Sequence, residues 1–399
     1  MLKFFSASTN IVNSKRAITE CIEKALDGQG SLDCDLIIIY SAMGHNFKDL
    51  LSESRKLCPG ARIAGCTGAG IIGKNGPDES MSALAIMAIK GPKIEFALTS
   101  RKTTAGNNTF DLAEGMAREL KEKNPAITFI LFLPNVFECF PIDLAINGIE
   151  SVFGAGVPIF GGVSMDNFKA ISSFHFFDDE VVERGALMIG FADPTLKYIS
   201  DVNHGFGVIE GLSLEVTKSD KNIIHEFNGE PAWIVLTRTL GIPESSFFVE
   251  ALAIAGFASE LPHELQKEYD NRYYLYGIMW KYDDNSISVP VVCPKGTKLR
   301  LTRRDEKGMF EGADWMVKNI VNELQGKRPV AVFHSDCVLR GRFSLNRVLK
   351  DEIINRLQVP ICQGENIPWL GLYSGGEICR IGKRNWFHNF SSSLFVVYR

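Results

Sequence analysis

A chain of 399 residues, 45% hydrophobic and 23% charged, is long enough for two ordinary domains and apolar enough to give each a core. Its formal charge of −4 offers no electrostatic reason to expect nucleic acid or an anionic membrane as a partner.

In chain order, Asp35-Leu-Ile-Ile-Ile-Tyr40 is an apolar run of buried-strand type. A helical stretch follows, and Ala61-Arg-Ile-Ala-Gly-Cys66 leads into Thr67-Gly68-Ala69-Gly70. Met81–Lys90 and Lys93–Thr99 read as a strand pair. The same order then returns. Thr128–Leu133 reads as a strand, Ile142, Ile146, Ile149 and Phe153 mark a helix, and Val157–Phe160 runs into Gly161-Gly162-Val163-Ser164. Strands near Ile171–Phe177 and Ala186–Phe191 complete this copy. A third copy closes the chain, with a strand at Val330–Phe333 and a helix carrying Leu345, Leu349, Ile353 and Leu357. Trp369–Tyr373 then enters Ser374-Gly375-Gly376-Glu377, and Phe387–Tyr398 is expected as one last strand. A fourth, divergent copy is expected from near Pro231. These are duplicated half-domains rather than a solenoid array, because the repeat is long and its copies vary.

Each copy ends a strand in small residues, where no side chain blocks approach to the backbone. Open α/β sheets place ligands at such strand ends. A Gly-rich join over Val202–Lys221 lacks the composition of a flexible linker, so the halves on either side are expected to pack together.

The N-terminus has too short an apolar patch for a secretory signal, and no stretch reaches the ~18 apolar residues of a membrane span. Nine cysteines, odd in number and without a C-x-x-C pair, suit free thiols in a reducing compartment. A cytoplasmic location is expected.

Several motifs tempt and fail. Gly68–Asn75 nearly spells a phosphate-binding loop, but Asn75 replaces the hydroxyl residue and Asn75-Gly76-Pro77 makes a turn where a helix must open. Cys66 and Cys337 sit at strand ends suited to a nucleophile. No catalytic order of Cys and His accompanies them, and buried inert thiols explain them more simply. Seven histidines offer axial ligands for a haem, which would be non-covalent because no C-x-x-C-H is present. At the C-terminal end, Arg340, Glu377 and His388 converge beside bare glycine backbone if their strands are neighbours. That charge pair would complement a free amino acid.

Cys337-Val-Leu-Arg340, the stretch Gly371–Ile378 and Phe387-His388-Asn389 resemble the C-terminal domain of the FIST family. Val216-Thr217-Lys218 and Asn228-Gly229-Glu230-Pro231-Ala232 resemble further motifs of that domain, with Asn228 in place of the usual Asp. Ile63-Ala-Gly-Cys66-Thr67 and Gly161-Gly162 are similar to the N-terminal FIST domain. The resemblance implies a sensory role in signal transduction, with amino acids as proposed ligands and, in some relatives, a haem that senses nitric oxide. The length leaves no room for a fused kinase, cyclase or F-box, so a separate signalling protein is the expected partner.

The expectation is therefore an α/β protein of duplicated strand–helix–strand units forming two packed mixed-sheet halves. An N-terminal FIST-like domain is placed over 30–210 and a C-terminal one over 211–399. Ligand-binding residues are expected at Cys66, Thr67, Gly161, Gly162, Cys337, Arg340, Tyr373, Gly375, Gly376, Glu377, His388 and Asn389. No catalytic residue or metal site is expected. The alternatives are a haem-based gas sensor and a cysteine-dependent enzyme.

Overall fold

The structure, a computed structural model, describes residues 1–103, 108–135, 140–169, 171–269 and 271–399. The first repeated unit runs β1 (Lys3–Thr9), α1 (Ser14–Ala25), β2 (Leu36–Ser41), α2 (Phe47–Leu57), β3 (Arg62–Thr67), a hairpin of β4 (Gly70–Gly73) and β5 (Gly76–Asp78), and β6 (Leu84–Lys90). The side chains of Asn13 and Asn46 accept backbone N–H groups in the first turns of α1 and α2, so short polar residues decide where these helices begin. Every residue of β2 is buried, as its unbroken apolar run requires. It lies parallel to β3 and antiparallel to β6.

The second unit repeats this order with β7 (Phe96–Lys102), α3 (Thr109–Lys123), β8 (Phe129–Leu133), α4 (Ile142–Phe153), β9 (Ile159–Gly162), the hairpin of β10 (Phe174–Phe177) and β11 (Glu180–Glu183), and β12 (Gly185–Phe191). The third opens with β13 (Lys197–His204) and is then interrupted by an insertion. The insertion comprises β14 (Phe206–Asp220), β15 (Ile223–Phe227), β16 (Glu230–Pro231), α5 (Ala232–Leu240), α6 (Phe248–Ile254), β17 (Ala255–Glu260), α7 (His263–Tyr269), β18 (Tyr273–Tyr276), β19 (Trp280–Lys281), β20 (Ile287–Ser288) and β21 (Lys298–Arg304). The unit resumes with α8 (Glu306–Leu324), β22 (Pro329–Cys337), α9 (Arg347–Cys362), β23 (Trp369–Ser374), the hairpin of β24 (Glu377–Ile381) and β25 (Arg384–His388), and β26 (Ser391–Tyr398).

The three units exchange hairpins in a cycle. The β10–β11 hairpin of the second unit pairs with β3 of the first. The β24–β25 hairpin of the third pairs with β9 of the second, and β4–β5 of the first pairs with β23 of the third. The result is three six-stranded mixed sheets, ordered β1-β6-β2-β3-β10-β11, β25-β24-β9-β8-β12-β7 and β13-β26-β22-β23-β4-β5. One face of each sheet carries its own pair of helices over a separate core. The opposite faces share a common core, where Phe160 of the second unit stacks on Phe395 of the third at 3.9 Å.

The α/β class, the repeated strand–helix–strand units and the mixed sheets are those expected from the sequence. Sheets cross residue 210, because β9 pairs with β24 and β4 with β23. Three expectations need correction. Strands β6 and β7 are not paired with each other: they belong to different sheets, and the turn between them passes the chain from one unit to the next. The stretch from Phe387 to Tyr398 is two strands, β25 and β26, in different sheets, broken at Asn389-Phe390. The segment from Pro231 is no fourth copy. It belongs to the insertion, whose strand pairs are all antiparallel and whose apolar side chains join the core beneath α3 and α4.

Candidate functional site

The glycines at the strand ends divide into two kinds. Gly65 and Gly161 hold equivalent places, at φ +146° and +145°. A β-carbon there would stand 1.9 Å from the Ile39 carbonyl oxygen and 2.0 Å from that of Phe132. These two glycines let neighbouring parallel strands close up. Gly162 and Gly376 are likewise filled against protein: an added β-carbon would meet Ser335 Oγ at 2.8 Å and the Phe387 ring at 2.3 Å. Gly375 differs. Its nearest neighbours would be Val163 Cγ1 at 3.5 Å and Met165 Sδ at 3.8 Å, and it faces a cavity.

That cavity has a volume of 360 Å³ and lies between the Gly-bearing ends of the second and third units and the inserted sheet. The loop after β9 supplies Met165, Asp166 and Phe168; α6 supplies Phe248, Val249 and Leu252; Ile278, Met279 and Trp280 come from the strand ends of the insertion. Cys337, Val338, Leu339, Gly375, Asn389 and Phe390 come from the third unit.

Two of its aromatic walls are held in unusual backbone. Phe168 has φ 74° and Phe390 φ 59°, the left-handed region that bulky residues rarely enter. The Phe168 ring stacks on Phe343 at 4.2 Å. Phe390 lies against Phe206 at 4.3 Å, and Gly256 and Gly277 leave room for its ring. Beside it, Asn389 fastens the insertion to the third unit. Its side-chain NH₂ donates to the Gly375 carbonyl at 3.0 Å, its oxygen accepts Gly277 N–H at 2.9 Å, and its own N–H donates to the Leu275 carbonyl at 3.0 Å.

Of the twelve residues expected to bind a ligand, the cavity gathers three: Cys337, Gly375 and Asn389. The others are placed within the fold. Cys66 lies in the shared core, and Thr67 Oγ1 accepts the Phe174 N–H at 3.0 Å. Tyr373 belongs to the core beneath α8 and α9. Arg340, 2% exposed, does not meet Glu377; its Nε donates to Asp336 Oδ1 at 2.8 Å. Glu377 accepts Ser374 Oγ at 2.9 Å and Ser391 Oγ at 2.7 Å, and burial pushes its carboxyl well above the usual carboxylate range. His388 is cross-strand from Glu377, and burial lowers its pKa to about 3, so the ring is neutral.

The chemistry available follows from these placements. Burial raises both the Cys66 and Cys337 thiols, which disfavours a thiolate nucleophile. Eight of the nine cysteines are free, and Cys139 lies outside the described residues. None of the seven histidines lines the cavity, so its residues do not fit a histidine-ligated haem. Among the described residues, no group of three or more His, Cys, Asp or Glu could hold a metal, and no helix is long and apolar enough to cross a membrane.

The sequence could not have pointed to Phe168, Phe248, Trp280 or Phe390. A left-handed φ leaves no mark on residue type at a phenylalanine. The one available signal was position, since Phe390 follows Asn389 at the end of a recognised motif.

The fold is thus a cyclically interlocked α/β structure with a largely apolar cavity at its strand ends. The sequence matches the FIST N domain over residues 35–230 and the FIST C domain over 232–380, and the chain belongs to the FIST family. It is similar to an uncharacterised protein of Mycobacterium tuberculosis, 23% identical over 387 residues covering 95% of each chain. A second, from Mycobacterium bovis, is 23% identical over 393 residues covering 96% of this chain and 95% of that one. Among solved structures it is similar to a cyanuric acid hydrolase from A. caulinodans at 7% identity and a TM-score of 0.35, covering 100% of this chain and 99% of the other.

Proposed function

We propose that this FIST protein is a sensory module that binds a small molecule in the 360 Å³ cavity and reports occupancy to a separate signalling protein. The observation that carries this reading is the backbone at Phe168 and Phe390. These are the two aromatic residues with positive φ among the described residues, and both line this one cavity. Backbone held in sparsely populated conformations costs on the order of 1–3 kcal/mol per residue and gathers at ligand clamps and switch regions. The volume lies in the range of small-molecule sites. The insertion supplies part of the wall and the repeated units the rest, so a bound molecule touches both.

The amino-acid version of this reading rested on Arg340 and Glu377. Arg340 pairs with Asp336, and Glu377 with Ser374 and Ser391, none of which lines the cavity, so the proposed ligand sits beside Gly375 instead.

Gly375 supplies the test. A β-carbon there meets only ordinary contacts, and the residue lines the cavity. Gly375→Val should fold with nearly unchanged stability and leave the cavity partly filled. In a thermal-melting screen of small metabolites, a ligand at a hundredfold its Kd should stabilise the native protein by about 2.7 kcal/mol. Gly375→Val should remove that shift. A ligand that stabilises both proteins equally would place the site elsewhere.

A further inference from the structure

The cavity wall carries more than a location. Met165, Phe168, Phe248, Met279 and Trp280 line it with aromatic rings and thioethers, the combination that packs best against a flat ring. Phe248 and Trp280, both from the insertion, have ring centroids 5.2 Å apart, and Phe168 comes from the second repeated unit.

The charged side chains and the amide at the wall already have partners within the fold. The Asp166 carboxylate accepts the backbone N–H groups of Lys169 at 2.9 Å and Ile171 at 2.8 Å, which shapes the loop that carries Phe168. Arg184 donates to the Ile171 carbonyl at 3.1 Å. The two charges are opposite in sign, and the Asn389 amide is spent on Gly375 and Gly277. Cys337, also at the cavity, is held as an uncharged thiol by burial. A charged ligand entering here would give up its hydration for apolar surface and meet no excess of opposite charge, whereas a neutral one loses little.

We propose that the ligand of this cavity is an uncharged, flat aromatic molecule packed against Phe248, Trp280 and Phe168, with at most one or two small polar atoms. The proposal rests on the reading of the cavity as the sensory site and narrows its ligand class. It separates this chain's pocket from one built for a free amino acid, whose ammonium and carboxylate would both need partners the wall has committed elsewhere.

A matched series decides it. 3-Methylindole, indole-3-acetate, tryptamine and tryptophan share a ring and differ in charge, and each is titrated by calorimetry into the intact wild-type chain and into Gly375→Val. The expected result is that 3-methylindole binds wild type at least tenfold more tightly than the three charged members, and that Gly375→Val loses this binding. If a charged member binds tightest and Gly375→Val abolishes it, the neutral class is overturned while the cavity stands as the site. If no member binds wild type, the neutral aromatic class is overturned, and the metabolite screen remains the separate judge of the site. Tight binding of 3-methylindole that survives Gly375→Val overturns both.

Discussion

At the scale of single residues, Arg340 shows how a charge that looks functional in sequence is consumed by the fold. Its guanidinium and the Asp336 carboxylate are 2% and 0% exposed and lie 2.8 Å apart. Asp336 also has His334 Nε2 at 3.4 Å from its second oxygen. Removing one member of a buried pair strands the other without solvent, at a cost of about 3–5 kcal/mol. Arg340→Ala should therefore lower the unfolding free energy by that amount in urea denaturation. Replacing both residues together, as Asp336→Asn with Arg340→Met, should recover part of it. A loss below ~1 kcal/mol for Arg340→Ala would show that the pair is not structural and would return Arg340 to the ligand-binding candidates.

At the scale of elements, the Gly-rich strand ends were legible in sequence, but their purpose was not. Three similar motifs in three copies suggest one common role, and the structure gives their glycines more than one, although Gly65 and Gly161 share theirs. Gly161 allows β9 to lie close to β8, Gly162 makes room for Ser335 and Ser374, and Gly375 opens on the cavity. What distinguishes them is the strand each one faces, and that depends on hairpins contributed by a different unit. Gly161→Ala should destabilise by well over ~1 kcal/mol, because its φ of +145° suits glycine and the new methyl would strike the Phe132 carbonyl. Gly375→Ala should change stability by no more than ~0.5 kcal/mol. Thermal melts of the two variants check this, and similar shifts for both would contradict the division. Element types were recovered best where pattern was strongest, as in Leu36–Ser41 and the Ile142–Phe153 helix. The Asn389-Phe390 break was hidden because neither Gly nor Pro marks it, and at Phe390 the backbone takes a left-handed φ where the chain passes into a second sheet.

At the scale of the whole molecule, cyclic hairpin exchange makes each sheet depend on two units, so a sequence repeat that reads as separate copies folds as one interlocked body. Local periodicity reports strands and helices but not which unit a hairpin joins. The insertion between β13 and α8 completes the cavity, bringing residues around 248–254 and 278–280 to the ends of strands far away in sequence. Ligand binding should therefore tie the insertion to the repeated units through Asn389 and Phe390. Hydrogen–deuterium exchange with saturating 3-methylindole, or with the screen's strongest cavity ligand, tests this most directly. The account predicts slower exchange together in the 165–169 loop, in α6 and in residues 275–280, and little change in α1 and α2 on the first unit's outer face. Protection confined to one side of the cavity, or centred on another part of the molecule, would contradict it.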